Sequence, residues 1–165
     1  MFDSWSKDCK RKIILPSDLE KAASEIKKNQ TLVTINGSFD LLHAGHLYML
    51  QEAKKQGDRL LVALNSDESI KQYKNKDRPI ISLDHRLEMM AALECVNFVT
   101  WFEETDPLKI LSLIKPHVHV NGSEYGKNCL EADLINQQGG ALHIVNLKDG
   151  LSTSNIVEKI RAICV

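Results

Sequence analysis

Short apolar, β-branched runs alternate along this chain with amphipathic stretches. Runs such as Leu32-Val33-Thr34-Ile35 and Leu60-Leu61-Val62-Ala63-Leu64 are almost continuously apolar, as expected of strands covered on both faces of a sheet. The pattern predicts strands at 32–36, 60–65, 97–102, 118–121 and 142–147. Between them, apolar residues recur at spacings of three and four, the period of a helix with one buried face. That spacing predicts helices at 45–56, 67–73, 83–94, 107–114, 130–137 and 152–164. A further short helix at 18–28 comes first, with Ser17 placed as its N-cap.

Strand–helix alternation of this kind predicts an α/β fold. Specifically, it predicts one Rossmann-like, doubly wound domain with about five parallel strands. Residues 1–30 are read as an N-terminal extension with its short helix, and 31–165 as the domain proper. Ligands of such folds bind beyond the strand C-termini, where the strand order reverses. The polar loops gather there: 36–46 after the first strand, 65–67 after the second, 121–125 after the fourth and 150–154 after the fifth.

Composition narrows the partners. Among 165 residues, 21 Lys and Arg stand against 22 Asp and Glu, for a net charge of −1. A general polyanion binder carries a basic excess, so no nucleic-acid partner is expected, and any phosphate affinity is local. No apolar run nears the roughly 20 residues that span a bilayer, and residues 1–11 lack the apolar core of a secretion signal. No membrane partner is expected. Cys9, Cys95, Cys129 and Cys164 show no C-x-x-C spacing, which predicts mostly buried thiols in a reducing cytoplasm.

The loop Asn36-Gly37-Ser38-Phe39-Asp40-Leu41-Leu42-His43-Ala44-Gly45-His46 holds the strongest chemistry. Strand, glycine-containing loop and helix start, in that order, aim backbone N–H groups at an anion. His43 and His46 add side-chain donors. The positive end of the helix dipole lowers a histidine pKa, so both rings are expected neutral until a triphosphate arrives. A zinc pair is the rival reading, although no further Cys or His lies close in sequence. Asp40 reads either as a Mg²⁺ ligand or as a loop anchor. Asp67 suits a helix cap, Arg78 is held extended by the proline that follows, and the hydroxyls of Ser152, Thr153 and Ser154 exceed what one cap requires.

The ordered set resembles the cytidylyltransferase-like nucleotidyltransferases, and within them the heptose 1-phosphate adenylyltransferases. It comprises the H-x-G-H element, Gly57-Asp58-Arg59, residues 62–67, Arg78-Pro79, Arg86, Ala91-Ala92-Leu93 and residues 150–156. The resemblance runs from Lys12 to Ile163. It implies transfer of AMP from ATP to a sugar phosphate with release of pyrophosphate, using Mg²⁺ carried mainly on the triphosphate. It also implies an ADP-sugar product for cell-surface glycans and a homodimer. CTP with glycerol 3-phosphate is the alternative substrate pair, and a nucleotide-binding module without turnover is the alternative of another class.

Carried over residue by residue, His43, His46, Lys74 or Lys76, and Arg78 are expected to be catalytic. Asn36, Gly37, Ser38, Phe39, Asp40, Gly45, Asn121, Gly122, Ser152, Thr153 and Ser154 are expected to hold the nucleotide. Asn65, Asp67, Arg86, Glu124 and Tyr125 are expected at the substrate, with Arg86 open between a phosphate contact and a salt bridge. Two positions depart from the family pattern. Asn75 stands where the family has a glycine after its lysine, and Asn121-Gly122-Ser123-Glu124-Tyr125 stands where it has Lys-Gly-Gly-Asp-Tyr.

Overall fold

The computed structural model describes residues 7–126, 129–146 and 152–164. Five strands form one sheet: β1 (Leu32–Gly37), β2 (Arg59–Asn65), β3 (Phe98–Phe102), β4 (Val118–Gly122) and β5 (Ala141–Val145). The order is β3-β2-β1-β4-β5 and every pairing is parallel. The helices are α1 (Lys7–Lys12), α2 (Leu19–Lys27), α3 (Ala44–Lys54), α4 (Asp67–Tyr73), α5 (Leu83–Ala92), α6 (Leu108–Ile114), α7 (Ala132–Gln137) and α8 (Thr153–Ile163). Each expected element is present within about two residues at each end, and residue 147, the expected end of β5, lies outside the described residues.

Two apolar layers hold the sheet. On one face Val33, Ile35, Val62, Leu64, Val99 and Val120 pack against Leu50 and Ala53 of α3 and Leu87, Met90 and Ala91 of α5. On the other, Leu32, Leu61, Ala63 and Phe102 meet Leu19 and Ala23 of α2, Ile110, Leu111 and Ile114 of α6, and Ile135 of α7. Adjacent residues of one strand serve opposite layers. That requirement is what left the runs apolar without alternation.

The start of the chain differs from the expectation. Residues 7–30 carry two helices, and Ser17 caps neither: Pro16–Asp18 forms a 3-10 turn that runs directly into α2. Pro16 presets the first helical φ, so the chain is already coiled before Ser17 could act as a cap. Ile13 bridges to Val99, and the fully buried Leu19 and Ala23 join the second layer, so this segment shares the domain's core. No disulfide joins the cysteines, three of which are half-buried and one, Cys164, exposed, against the expectation of mostly buried thiols. Among the described residues no helix is long and apolar enough to cross a membrane.

Chain order passes from β1 outward to β3, then returns across β1 to β4. The sheet therefore reverses between β1 and β4, and the crevice outside their C-terminal ends is where such folds take ligands.

Candidate active site

A cavity of about 560 Å³ opens at that reversal, in the size range of small-molecule sites. Its floor is Ile35 of β1, Val120 of β4 and Met49 of α3. One wall is the β1–α3 loop and α3 start: Asn36, Gly37, Ser38, Phe39, His43, Gly45 and His46. Lys74, Asn75 and Arg78 form a second wall, the end of β4 with Glu124 and Tyr125 a third, and Ser152, Thr153 and Ser154 a fourth.

The helix start is built by the two histidines. His43 is the N-cap of α3, and its Nδ1 accepts from the amides of Gly45 (3.1 Å) and His46 (3.4 Å). His46 Nδ1 accepts in return from the His43 amide at 3.4 Å, a capping box made of imidazoles. A neutral ring that accepts at Nδ1 carries its proton on Nε2. Both rings are thus fixed as Nε2–H donors. They stack with centroids 3.8 Å apart. Burial lowers the His43 pKa. Burial, then the neighbouring His43 and Lys74, lowers that of His46 to about 4. The expected neutrality holds, with desolvation as its main cause. The expected role of the first-turn amides does not hold for Gly45 and His46: both are already engaged by His43.

Phe39 sits at φ 44°, a left-handed conformation that costs a non-glycine residue about 1–3 kcal/mol. The turn brings its ring 5.2 Å from that of His46. A Cβ at Gly37 would lie 3.3 Å from the Phe39 ring, so a side chain there would press on it.

On the second wall, Lys74 Nζ lies 3.0 Å from Ser38 Oγ, and its pKa is lowered by burial and by Arg78. Lys76 does not line the cavity, so the structure brings Lys74 rather than Lys76 to it. Asn75 makes a local turn, its Oδ1 accepting from the Asp77 amide at 3.0 Å; this is what the residue does where the family pattern has glycine.

Four expected residues lie behind the walls. Arg86 is fully buried. Its guanidinium donates to the carbonyls of Ile81 (2.9 Å), Ser38 (2.7 Å) and Asn65 (2.9 Å) and to Asp67 Oδ1 (2.7 Å). Four of its N–H groups are engaged inside the protein, so of the two open readings the structure supports the internal salt bridge. Asn65 donates to Ser69 Oγ at 3.0 Å, Asp67 holds Arg86, and neither lines the cavity. Asp40 is 1% exposed and turned inward, accepting from the amides of Ile80 and Ile81 and pairing with Arg78 at 2.6 Å.

At the end of β4, Asn121 is buried, its Nδ2 donating to Glu131 Oε2 (3.2 Å) and Cys129 Sγ (3.3 Å). It occupies the lysine position of the family with a neutral amide held from behind. The Glu124 carboxylate lies so close over Gly122 that a Cβ there would overlap it. Ser152 Oγ caps α8 by accepting from the Asn155 amide at 3.1 Å, and Gly150 lies outside the described residues. Ile35, Met49 and Val120 went unnoticed in sequence. Met49 stands three positions after His46, and that spacing was the available signal. For the zinc reading, no group of three or more metal-ligating side chains occurs among the described residues, and His43 and His46 each spend one ring nitrogen on the cap.

A family model described as cytidylyltransferase-like matches residues 34–159. The chain belongs to the cytidylyltransferase-like family. Within the matched residues, the H-x-G-H element lies at the sheet reversal described above. The chain is 41% identical over 159 residues to the bifunctional protein HldE of Trichlorobacter lovleyi, covering 96% of this chain and 32% of that one. Against HldE of Pseudomonas entomophila it is 44% identical over 134 residues, covering 81% and 28%. It thus spans about a third of the length of these curated relatives. A lipopolysaccharide core biosynthesis protein from Thermoplasma volcanium superposes with a TM-score of 0.59 at 32% identity, covering 73% of this chain and 98% of that one. Pantoate–beta-alanine ligase from Francisella tularensis, solved with an ATP species and beta-alanine, superposes at 0.60 with 14% identity, covering 93% and 78%, and shares the fold.

Proposed function

We propose that this chain transfers AMP from ATP to a sugar phosphate, heptose 1-phosphate by preference, and releases pyrophosphate. The observation that carries the reading is the cavity at the sheet reversal, where two neutral imidazole donors face the cations Lys74 and Arg78. An acceptor phosphate oxygen attacks the α-phosphorus in line, and the bond to the pyrophosphate oxygen breaks. No protein nucleophile is needed, so catalysis rests on positioning and on donors set where charge develops.

In this reading the Nε2–H groups of His43 and His46 donate to phosphate oxygens, and Lys74 with Arg78 neutralises the departing pyrophosphate. Ser152, Thr153 and Ser154 hold the triphosphate from the α8 side, while Asn36 and the apolar floor carry the nucleoside. Glu124 and Tyr125 meet the acceptor. Mg²⁺ would enter on the triphosphate with most of its waters; Glu124 is the one lining carboxylate among the described residues. The resemblance to heptose 1-phosphate adenylyltransferases and the name of the Thermoplasma volcanium neighbour support an ADP-sugar product for lipopolysaccharide. We extend the reading to a homodimer acting in the cytoplasm, as the resembling enzymes suggest.

A donor-by-acceptor screen tests this, with ATP and CTP against heptose 1-phosphate and glycerol 3-phosphate, reading pyrophosphate release. ATP with heptose 1-phosphate is expected to give the fastest turnover. Preference for CTP with glycerol 3-phosphate would replace the substrate assignment, and ATP binding without product from any acceptor would overturn catalysis. His46→Ala is expected to lower turnover roughly 10²- to 10³-fold, the loss typical of one preorganised donor.

A further inference from the structure

Two segments distant in sequence supply the imidazoles and cations of the cavity, the β1–α3 loop and residues 74–78. The Asp40 carboxylate joins them. It is 1% exposed, and donors converge on both oxygens. Oδ1 accepts from the amides of Ile80 (2.9 Å) and Ile81 (2.8 Å), and Oδ2 from the Ile80 amide (3.0 Å) and from Arg78 Nη2 (2.6 Å). Three donors thus hold the carboxylate, the Ile80 amide shared between both of its oxygens.

Arg78 is held at one end only. Its side chain is 15% exposed and lines the cavity, while its Nε is buried and has no partner among the described residues. A buried guanidinium N–H without an acceptor is costly. The exposed part of the side chain is what a ligand in the cavity can reach.

We propose that Asp40 is a positioning residue acting through Arg78, fixing its guanidinium on the cavity wall, where the exposed part of the side chain meets an anionic oxygen of the ligand. The proposal rests on the nucleotidyl-transfer reading for the identity of that oxygen. The geometry also distinguishes Asp40→Asn from a simple loss of charge. An amide can still accept from the 80–81 backbone through its oxygen, but it turns an NH₂ toward Arg78 Nη2, so two donors face each other and the guanidinium is released.

The test is a double-variant cycle of Asp40→Asn and Arg78→Gln, reading pyrophosphate release, its Mg²⁺ dependence and the thermal midpoint. Each single variant is expected to lose roughly 10²-fold in turnover. The double variant is expected to be no slower than the worse single one, the non-additivity of groups that act as a unit. The Mg²⁺ concentration for half-maximal rate is expected to stay put. A raised Mg²⁺ requirement in Asp40→Asn, with the two losses multiplying, would overturn the proposal in favour of a metal ligand. Losses that multiply at an unchanged Mg²⁺ requirement would reduce Asp40 to a loop anchor and overturn it equally. If Asp40→Asn does not fold, Asp40→Glu is read instead, with the same coupling expected. If the unaltered chain turns over no pair in the screen, the functional reading falls, and the cycle is then read on ATP affinity by calorimetry. There too, coupling between positions 40 and 78 supports the proposal and its absence overturns it.

Discussion

Replacing Arg86 by methionine separates the two roles open to it in sequence. Its guanidinium is fully buried and binds three backbone carbonyls, those of Ser38, Asn65 and Ile81, together with the Asp67 carboxylate. Methionine fills much of the same volume, so the loss is chiefly of hydrogen bonds. Each neutral carbonyl left without its donor costs about 1 kcal/mol at the low end of the range. The Asp67 side chain is 35% exposed and rehydrates, so it adds less than a fully buried partner would, about 1 kcal/mol more. The total of about 4 kcal/mol agrees with the 3–5 kcal/mol typical of breaking a buried ion pair from one side. For a chain of this length, each kcal/mol shifts the thermal midpoint by about 2–4 °C, so Arg86→Met is expected to melt about 8–16 °C lower. The assay is thermal unfolding by circular dichroism, paired with ATP titration well below the midpoint. A midpoint within about 2 °C of the unaltered chain, together with weakened ATP binding, would refute the inward-bonded geometry and return Arg86 to the phosphates.

Two further outcomes follow from the same geometry. Lys74→Met is expected to lower turnover roughly 10²-fold, whereas Lys76→Met stays within about twofold; equal losses in steady-state rates would contradict the placement of Lys74 alone at the cavity. Stability is expected to fall as pH falls from about 6.5 to 4. His46 and the buried His119 both have native pKa values lowered to about 4, chiefly by burial. Over that window the unfolded chain therefore binds protons that the native chain refuses. Above 6.5 the two rings contribute no pH dependence. His119 alone supplies a slope of up to about 1.4 kcal/mol per pH unit. Urea midpoints measured at pH 7, 6 and 5 check this, and His119→Phe, if its slope equals that of the unaltered chain, would refute the burial argument.

What the sequence disclosed, and what it withheld, divides along a physical line. Strand positions were legible because a sheet covered on both faces needs apolar residues at every position. Runs such as Leu60-Leu61-Val62-Ala63-Leu64 meet that need without reference to any partner. The pair His43 and His46 was legible for a similar reason: three positions apart at a helix start, they build their own cap from local atoms. Charged residues carry no such record. Arg86, Asp40, Lys74 and Lys76 are alike in bearing ionisable side chains, and only contacts made across long stretches of chain decide which of them faces the cavity. Arg86 is withdrawn from it by carbonyls 48 and 21 residues away, and Asp40 by amides 40 and 41 residues away. Ser17 failed as a cap on a smaller scale, because Pro16 had already started the coil. Non-local satisfaction of buried charge is therefore what a motif leaves unstated here. It is also why the residues that hold the cationic wall in place, rather than those that form it, emerged only from the folded chain.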